Sequence, residues 1–208
     1  MSSTISFRES IRWIPDEASE PTDTVVLTGG KSGVFLDVRF FKDSNGLDWA
    51  FAGYRSTEGG KELIKFTHLI DSRTTDPLQM VDYGSNTDLP NGTTLERGEM
   101  INPATGKMTE YEEVWRDEKS IGGTTLFLRN TTSTSWYARV GDWQLALGRD
   151  SAGHFWAFQA QLSDNEWMIT HKTDVSDGIA LLPEISEDWV EGVQVQWNND
   201  KWIILERP

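Results

Sequence analysis

From Lys42 to Ala52 the chain reads K-D-S-N-G-L-D-W-A-F-A, and the architecture can be inferred outward from this segment. Its Asn45-Gly46 pair is a strong signal for a hairpin turn. The Trp49-Ala50-Phe51-Ala52 that follows alternates large and small side chains, as a half-buried strand does. The segment therefore predicts a β-hairpin.

The same pattern returns 107 positions later (149 minus 42), where Arg149 to Gln159 reads R-D-S-A-G-H-F-W-A-F-Q. Turn chemistry alone would explain the shared Asp, Ser and Gly, but not the shared Trp-Ala-Phe. The identical pairs are Asp43/Asp150, Ser44/Ser151, Gly46/Gly153, Trp49/Trp156, Ala50/Ala157 and Phe51/Phe158. The pattern favours one β unit used twice over two unrelated hairpins with similar turns.

The length of the chain, 208 residues, fits two domains of about 100 residues each. A polar segment with two glycines at 117–123 predicts the boundary, giving domains 1–118 and 119–208. Short strands and turn signals every 8–12 residues or so, with almost no helical period, predict an all-β fold. Two tandem small antiparallel barrels would leave no exposed sheet edges, and a β-sandwich is the competing architecture.

Charge and composition exclude several classes of function. The net charge of −14 argues against binding to nucleic acid and to anionic membrane surfaces. The absence of cysteine excludes disulfides, thiolate nucleophiles and cysteine-type zinc sites. No apolar run has the length of a signal peptide or a membrane span, so we expect a cytoplasmic protein that does not bind membranes.

No motif predicts a cofactor or a metal. Gly29-Gly30-Lys31-Ser32 is similar to part of a phosphate-binding loop, but Val25 stands where that motif needs its first glycine. The three histidines lack metal-ligand spacing, and neither a dinucleotide fingerprint nor a serine-nucleophile elbow occurs. We therefore expect neither a cofactor nor a bound metal.

Four motifs, in order and with similar spacing, resemble those of the fungal Hri-one family, which is named after a protein that interacts with a casein kinase. They are Asp48–Gly53 (D-W-A-F-A-G), Glu112–Trp115 (E-E-V-W), Gly141–Trp143 (G-D-W) and Trp202–Glu206 (W-I-I-L-E). The resemblance implies tandem lipocalin-like (calycin) β-barrels and a kinase as a possible protein partner. The family has no established catalytic residues to transfer to this chain.

Two ionisable residues are candidates for acid–base chemistry. His68 shares a strand face with Ile64, Phe66 and Ile70, so it is either a buried, hydrogen-bonded histidine or a general acid or base at a cavity wall. Glu113 lies between Tyr111 and Trp115 on one strand face. Burial there would raise the pKa of Glu113; the alternatives are an internal Glu–Arg pair or a solvent-facing strand side.

Aromatic side chains give the remaining signal. Core packing explains most of them, but a small barrel can also leave room for one small apolar ligand. The candidate ligand-binding residues are Trp49, Phe51, Phe66, Tyr111 and Trp115. The long polar segment 71–90 is predicted to be a loop, and it favours the first barrel as the open one.

Three hypotheses follow. The protein could bind an apolar small molecule or a protein partner without catalysis. It could be a cofactor-independent cyclase or isomerase of a fungal biosynthetic pathway, acting on an apolar metabolite with His68 and Glu113 as its first candidate groups. It could also be a scaffold with filled barrels.

Overall fold

The computed structural model describes residues 2–57, 63–119, 123–174 and 180–207, and nearly all of its regular structure is β. The first sheet contains β1 (Thr4–Trp13), β2 (Thr22–Thr28), β3 (Val34–Phe41), β4 (Leu47–Thr57), β5 (Leu63–Asp71), β6 (Tyr83–Asp88), β7 (Thr94–Asn102) and β8 (Lys107–Lys119). These strands follow one another in an antiparallel meander, and pairing of β1 with β8 closes the sheet into a barrel.

The second sheet contains β9 (Thr125–Asn130), β10 (Ser135–Val140), β11 (Trp143–Arg149), β12 (Phe155–Ser163), β13 (Glu166–Lys172), β14 (Gln194–Trp197) and β15 (Asp200–Glu206). Its order is β13-β12-β11-β10-β9-β15-β14. The all-β prediction is confirmed and the first half is a closed barrel. The second half is an open sheet in the part of the chain that the structure describes.

A shared apolar core joins the two halves. In β3 the alternation of side chains turns Leu36, Val38 and Phe40 outward from the barrel, where they pack against Leu145 and Leu147 of the second sheet. Because successive side chains of a strand point to opposite faces, the residues between them, such as Asp37 and Arg39, point into the barrel.

The other face of the second sheet is covered by the chain itself. Leu182 and Trp189, from the segment between β13 and β14, are buried against it. Trp167 of β13 and Trp197 of β14 pack on the same cluster, so side chains from both edge strands meet over one core. The interior of the second half is therefore filled with side chains.

Two details of the sequence prediction are wrong. Ala52 pairs with Ile70 but Gly53 pairs with His68, so Leu69 is the extra residue of a β-bulge. The bulge turns Ile70 into the core between the halves while His68 stays inside the barrel, and these two residues do not share a face.

The segment 71–90 is not a continuous loop. It contains one turn of 3-10 helix at Pro77–Gln79 and the strand β6. The β6 sequence, Y-G-S-N-T-D, has little intrinsic β propensity, and its pairing with β5 and β7 supplies what the sequence lacks. No helix in the described ranges has the length and apolar character needed to cross a membrane.

Candidate functional site in the barrel cavity

The first barrel encloses a cavity of about 80 Å³. This space holds several water molecules, since one water needs about 10–15 Å³ on this measure. Six polar residues of the lining lie near the ends of their strands, and these strand ends are all at the same end of the barrel. They are Ser6, Thr28, Arg55, Asn86, Thr94 and Asp117. Most of them are partly exposed, so this end is the mouth of the cavity.

An aromatic wall is formed by β3, β4 and β5. Phe35 and Phe51 meet edge to face with their ring centres 5.6 Å apart, and Phe35 contacts Phe66 in the same way at 5.7 Å. Trp49 lies against Phe51 with a centre distance of 4.3 Å. These rings give the cavity an apolar side that offers dispersion contacts and no hydrogen-bond acceptor.

A buried ionic cluster is formed inside the barrel. Arg39 donates two hydrogen bonds to Asp37, at 3.0 and 2.7 Å, and one to Glu113 at 3.2 Å. Arg8 donates to the same oxygen of Glu113 at 2.5 Å. Burial lowers the pKa of Arg39, but Asp37 and Glu113 more than offset this and hold its pKa well above the ordinary value. Glu113 thus accepts hydrogen bonds from two guanidinium groups, which is the internal Glu–Arg pairing considered for it from the sequence.

His68 lies behind the aromatic wall and is only 1% exposed. Its ring stacks on Phe51 at 4.2 Å, Nδ1 lies 2.8 Å from Asp71, and Nε2 lies 3.1 Å from Asp82. Burial lowers the pKa of His68, while the hydrogen bonds to the two carboxylates raise it above the ordinary value. Both ring nitrogens are engaged, and His68 is not among the residues that line the cavity.

Glu96, on β7, is a cavity residue that the sequence reasoning missed. Its Oε1 accepts a hydrogen bond from the Tyr111 hydroxyl at 3.1 Å. Burial, together with the nearby charges of Glu113 and Asp82, raises the pKa of Glu96 to about 8. The side chain is therefore a carboxylic acid at neutral pH.

Two glycines make room for this acid and its tyrosine partner. A Cβ atom at Gly84 would lie 2.7 Å from Oε1 of Glu96, and one at Gly98 would lie 2.5 Å from the Tyr111 hydroxyl oxygen. Gly84 and Gly98 are paired residues on β6 and β7. Glycines inside strands are the one sequence signal that could have pointed to this wall, because they mark a close approach of another group.

Three polar groups of the lining have no partner among the described residues. The Nε1–H of Trp115 and the Oδ1 of Asn86 are buried without a hydrogen bond. Arg55 makes no side-chain hydrogen bond to a described residue, and burial, the largest influence, lowers its pKa. Buried polar groups without partners are rare in folded proteins, so the Trp115 N–H and the Asn86 Oδ1 mark where a bound molecule would contact the wall. Arg55 is half-buried and faces the charges of Asp117 and Glu96.

A family model described as Protein HRI1 matches residues 4–206 of the chain. The chain belongs to the HRI1 family. The match confirms the resemblance that the four sequence motifs carry. No curated protein and no solved structure matches the chain.

In this HRI1-family barrel, most of the residues singled out from the sequence meet in one place. Those that line the cavity are Trp49, Phe51, Phe66, Tyr111, Glu113 and Trp115. His68 contacts the lining only through Phe51 and Trp49. The described residues contain no group of three His, Asp or Glu side chains arranged to hold a metal ion. The site can therefore offer an aromatic surface, hydrogen-bond donors and one neutral carboxylic acid.

Proposed function

We propose that this HRI1-family protein binds a small organic molecule in the cavity of its first barrel. The observation that carries the proposal is Trp115, which lines the cavity, is 8% exposed and has a buried indole N–H without a hydrogen-bond partner. A donor left unsatisfied in this way costs about 1–3 kcal/mol, and a ligand that accepts its hydrogen bond removes this cost.

The walls of the cavity differ in a way that suits an amphipathic ligand. The aromatic wall of Phe35, Phe51 and Phe66 would cover its apolar side, as the sequence suggested for an apolar molecule. The wall from β6 to β8 would face its polar group, through Asn86 and Trp115. Small-molecule sites typically combine an apolar lining with a few placed polar groups.

Lipocalin-like barrels in tandem, implied by the family resemblance, are part of the same proposal. The proposal of tandem barrels is supported by the similar sequences of the two hairpins, β3–β4 and β11–β12. The second copy has its interior filled by Leu182 and Trp189. We therefore assign binding to the first half alone.

The test is native mass spectrometry of the protein purified from its own source, followed by extraction of bound compounds. Val26 lines the cavity, so Val26→Phe places a ring in that space, whereas Val190→Phe makes the same change at a position that is 48% exposed. We expect a bound compound in the wild type and in Val190→Phe, and none in Val26→Phe. An equal load in Val26→Phe and the wild type, with both folded, would place the compound elsewhere and refute the proposal.

A second candidate function is a cofactor-independent cyclase or isomerase acting in the same cavity. The observation that favours it is Glu96, whose pKa of about 8 keeps it protonated beside an aromatic surface. A carboxylic acid in such a site can act as a general acid toward a ligand oxygen. Glu113 would serve as a positioning group, because its Oε1 accepts from both Arg8 and Arg39. His68 would do the same, because both of its ring nitrogens are engaged.

The compound released from the protein decides between the two functions. It would be incubated with the wild type and with Glu96→Gln, and the mixture analysed for a constitutional or ring isomer. Turnover that is lost in Glu96→Gln while binding persists would support the enzyme. Binding without any isomer from the wild type would leave only the carrier function.

A further inference from the structure

The two buried unpartnered atoms of the cavity lining, on Trp115 and Asn86, lie on one wall, and their positions follow from strand register. Glu96 pairs with Asn86 of β6 on one side and with Glu113 of β8 on the other. Trp115, which pairs with Thr94, and Tyr111, which pairs with Gly98, are therefore the two diagonal neighbours of Glu96 on the inward face. Diagonal neighbours lie about 7–8 Å apart at their Cα atoms, within reach of one bound group for long side chains.

Hydrogen-bond donors dominate this wall. Trp115 offers an indole N–H without a partner, and Asn86 offers one unpartnered acceptor oxygen. Oε1 of Glu96 accepts from Tyr111. Because Glu96 is a carboxylic acid at neutral pH, its hydroxyl is a second donor. Two donors on neighbouring strands fit one acceptor atom with two lone pairs, as a carbonyl oxygen has.

The charges around the wall disfavour an anion. Asp37, Glu113 and Glu20 are paired with Arg8 and Arg39, which leaves one negative charge in excess. Arg55, the other cation of the lining, faces Asp117 and Glu96. Asp71 and Asp82 share the single His68. Burial and the negative charges of Glu113 and Asp82 raise the pKa of Glu96, and both would disfavour a ligand carboxylate or phosphate in the same way.

A cation also fits less well than a neutral group. Arg39 already lies over the Trp49 ring at 5.0 Å and over the Phe51 ring at 5.7 Å, so the aromatic surface that a ligand cation would use is taken. The Trp115 N–H would remain without an acceptor beside an ammonium group, since both are donors only.

We propose that the ligand is an uncharged molecule with a carbonyl oxygen, of the ketone, aldehyde, ester or lactone class, held between the indole N–H of Trp115 and the carboxylic acid of Glu96. This inference rests on the proposed binding function and specifies its ligand. The apolar part of the ligand faces Phe35 and Phe66. Asn86 accepts a hydrogen bond if the ligand carries a hydroxyl beside its carbonyl.

The proposal fixes the direction of a pH dependence. The charged and titratable groups facing Glu96 are Tyr111 and Glu113 of β8, Asp82 before β6, Arg39 of β3 and Arg55 of β4. Below pH 8 Glu96 donates to the carbonyl. Above it the carboxylate repels the carbonyl oxygen, and affinity falls by up to about tenfold per pH unit as the proton is lost.

Four probes of one size test this ligand class: acetophenone, ethylbenzene, 1-phenylethylammonium and benzoate. Binding is measured by titration at pH 7 with indole ¹⁵N-labelled protein, with the Trp115 signal assigned from its loss in Trp115→Phe. We expect acetophenone to bind about 25-fold more tightly than ethylbenzene, because two hydrogen bonds, one from Trp115 and one from Glu96, separate them. We also expect acetophenone alone to move the Trp115 N–H signal downfield.

Two variants isolate the polar wall. Glu96→Gln keeps a donor but cannot ionise, so acetophenone should bind it at pH 7 much as it binds the wild type, without the loss of affinity above pH 8. Glu99→Gln is the matched control, since Glu99 is exposed on the same strand and should keep the wild-type pH profile. Trp115→Phe should bind acetophenone about fivefold more weakly and ethylbenzene equally well.

Each result has one meaning. Equal affinity for acetophenone and ethylbenzene would refute the proposal that the ligand carries a carbonyl group, while the proposal that the cavity binds a small molecule would stand. If 1-phenylethylammonium bound most tightly of the four probes, with an affinity that rises above pH 8, the carbonyl proposal would be wrong and the ligand would be a cation. Failure of all four probes, with no compound bound to the protein from its source, would defeat the binding function itself.

Discussion

The hairpins β3–β4 and β11–β12 use the same residues in the same directions. Ala50 and Ala157 both lie in the apolar core between the two halves. Trp49 and Trp156 both turn away from it, each into the interior of its own half. The two hairpins contact each other through their apolar strands, so the repeat in sequence is also a repeat in packing.

The interiors built on these hairpins differ in charge at two positions. Where β3 has Asp37 and Arg39, β11 has Gln144 and Ala146 at the equivalent positions. Gln144 accepts a hydrogen bond at 2.9 Å from the backbone N–H of Leu182, in the segment that fills the second half. The same type of hairpin therefore forms part of two different interiors. The first is hollow and carries charges, and the second is filled and mainly apolar.

The largest effect is expected from Arg39→Met, which makes the first interior resemble the second. The substitution leaves Asp37 buried without its bidentate partner and removes one donor from Glu113. Breaking a buried ion pair from one side costs about 3–5 kcal/mol. Urea unfolding of the variant should show a loss of this size.

The double variant Asp37→Leu/Arg39→Met is the control for this prediction. It removes both charges, and Glu113 keeps Arg8 as its partner. The double variant should therefore be more stable than Arg39→Met alone. If the second substitution lowered the free energy of unfolding further, the charges would not be acting as a pair.

A slightly smaller effect is expected from Trp189→Ala, which makes the second interior resemble the first. Trp189 is buried over the second sheet, and truncating a buried aromatic residue costs about 3 kcal/mol or more. Trp167→Ala, at a partly buried position on the same cluster, should cost less. Equal losses in the two variants would show that the segment between β13 and β14 is not what fills this half.

The pH dependence of stability provides a third comparison, because His68 and Glu96, two buried groups with raised pKa values, both belong to the first half. His68 has a raised pKa, so its stabilising contribution is complete below the unfolded value of about 6.5 and is lost as pH rises through its folded pKa. Glu96 adds a slope of the same sign up to pH 8 or so, since the folded state holds its proton more tightly than the unfolded chain.

Unfolding free energies measured from pH 5.5 to 9 should therefore decrease for the wild type and show a smaller slope in His68→Gln and in Glu96→Gln. A control at His154, which is exposed and belongs to the second half, should keep the wild-type slope in His154→Gln. An unchanged slope in His68→Gln would mean that the two carboxylates do not hold a proton on this ring.

The sequence was sufficient to predict the strands in which buried and exposed side chains alternate clearly. Tyr111, Glu113 and Trp115 alternate with exposed or half-buried residues, and the structure places them on one inward face as predicted. The strand β6 was missed because its polar residues gain their β structure only from neighbouring strands.

The missing part of the site depends on contacts distant in sequence. The pKa of Glu96 is raised by burial inside the closed barrel and by Glu113 and Asp82, which no local pattern connects to it. The sequence correctly predicted that His68 points into the barrel. It did not predict the bulge at Leu69, which turns the following side chain, Ile70, to the opposite face of the strand. Local periodicity predicts which way a side chain points, whereas the partners that it meets there depend on the closed barrel.

The smallest predicted effect concerns the two turns, which share D-S-x-G and yet close differently. In the first turn the N–H of Phe41 bonds to the carbonyl of Gly46, and Asn45 takes the left-handed conformation with φ of 55°. In the second turn the N–H of Asp150 bonds to the carbonyl of His154, and Gly153 is left-handed with φ of 87°. A register shift between Arg39 and Phe40 interrupts the first hairpin and has no equivalent in the second.

The same substitution at the two equivalent glycines should therefore have different results. Gly153→Ala forces a Cβ atom into the left-handed region and should cost about 1 kcal/mol. Gly46→Ala meets only the Ser44 hydroxyl, at 3.4 Å, and should be neutral or stabilise by about 0.5 kcal/mol by restricting the unfolded chain. Thermal unfolding of the two variants measures the difference directly. Equal costs would mean that the turns have one conformation in solution, and that the two hairpins differ only in the interiors they face.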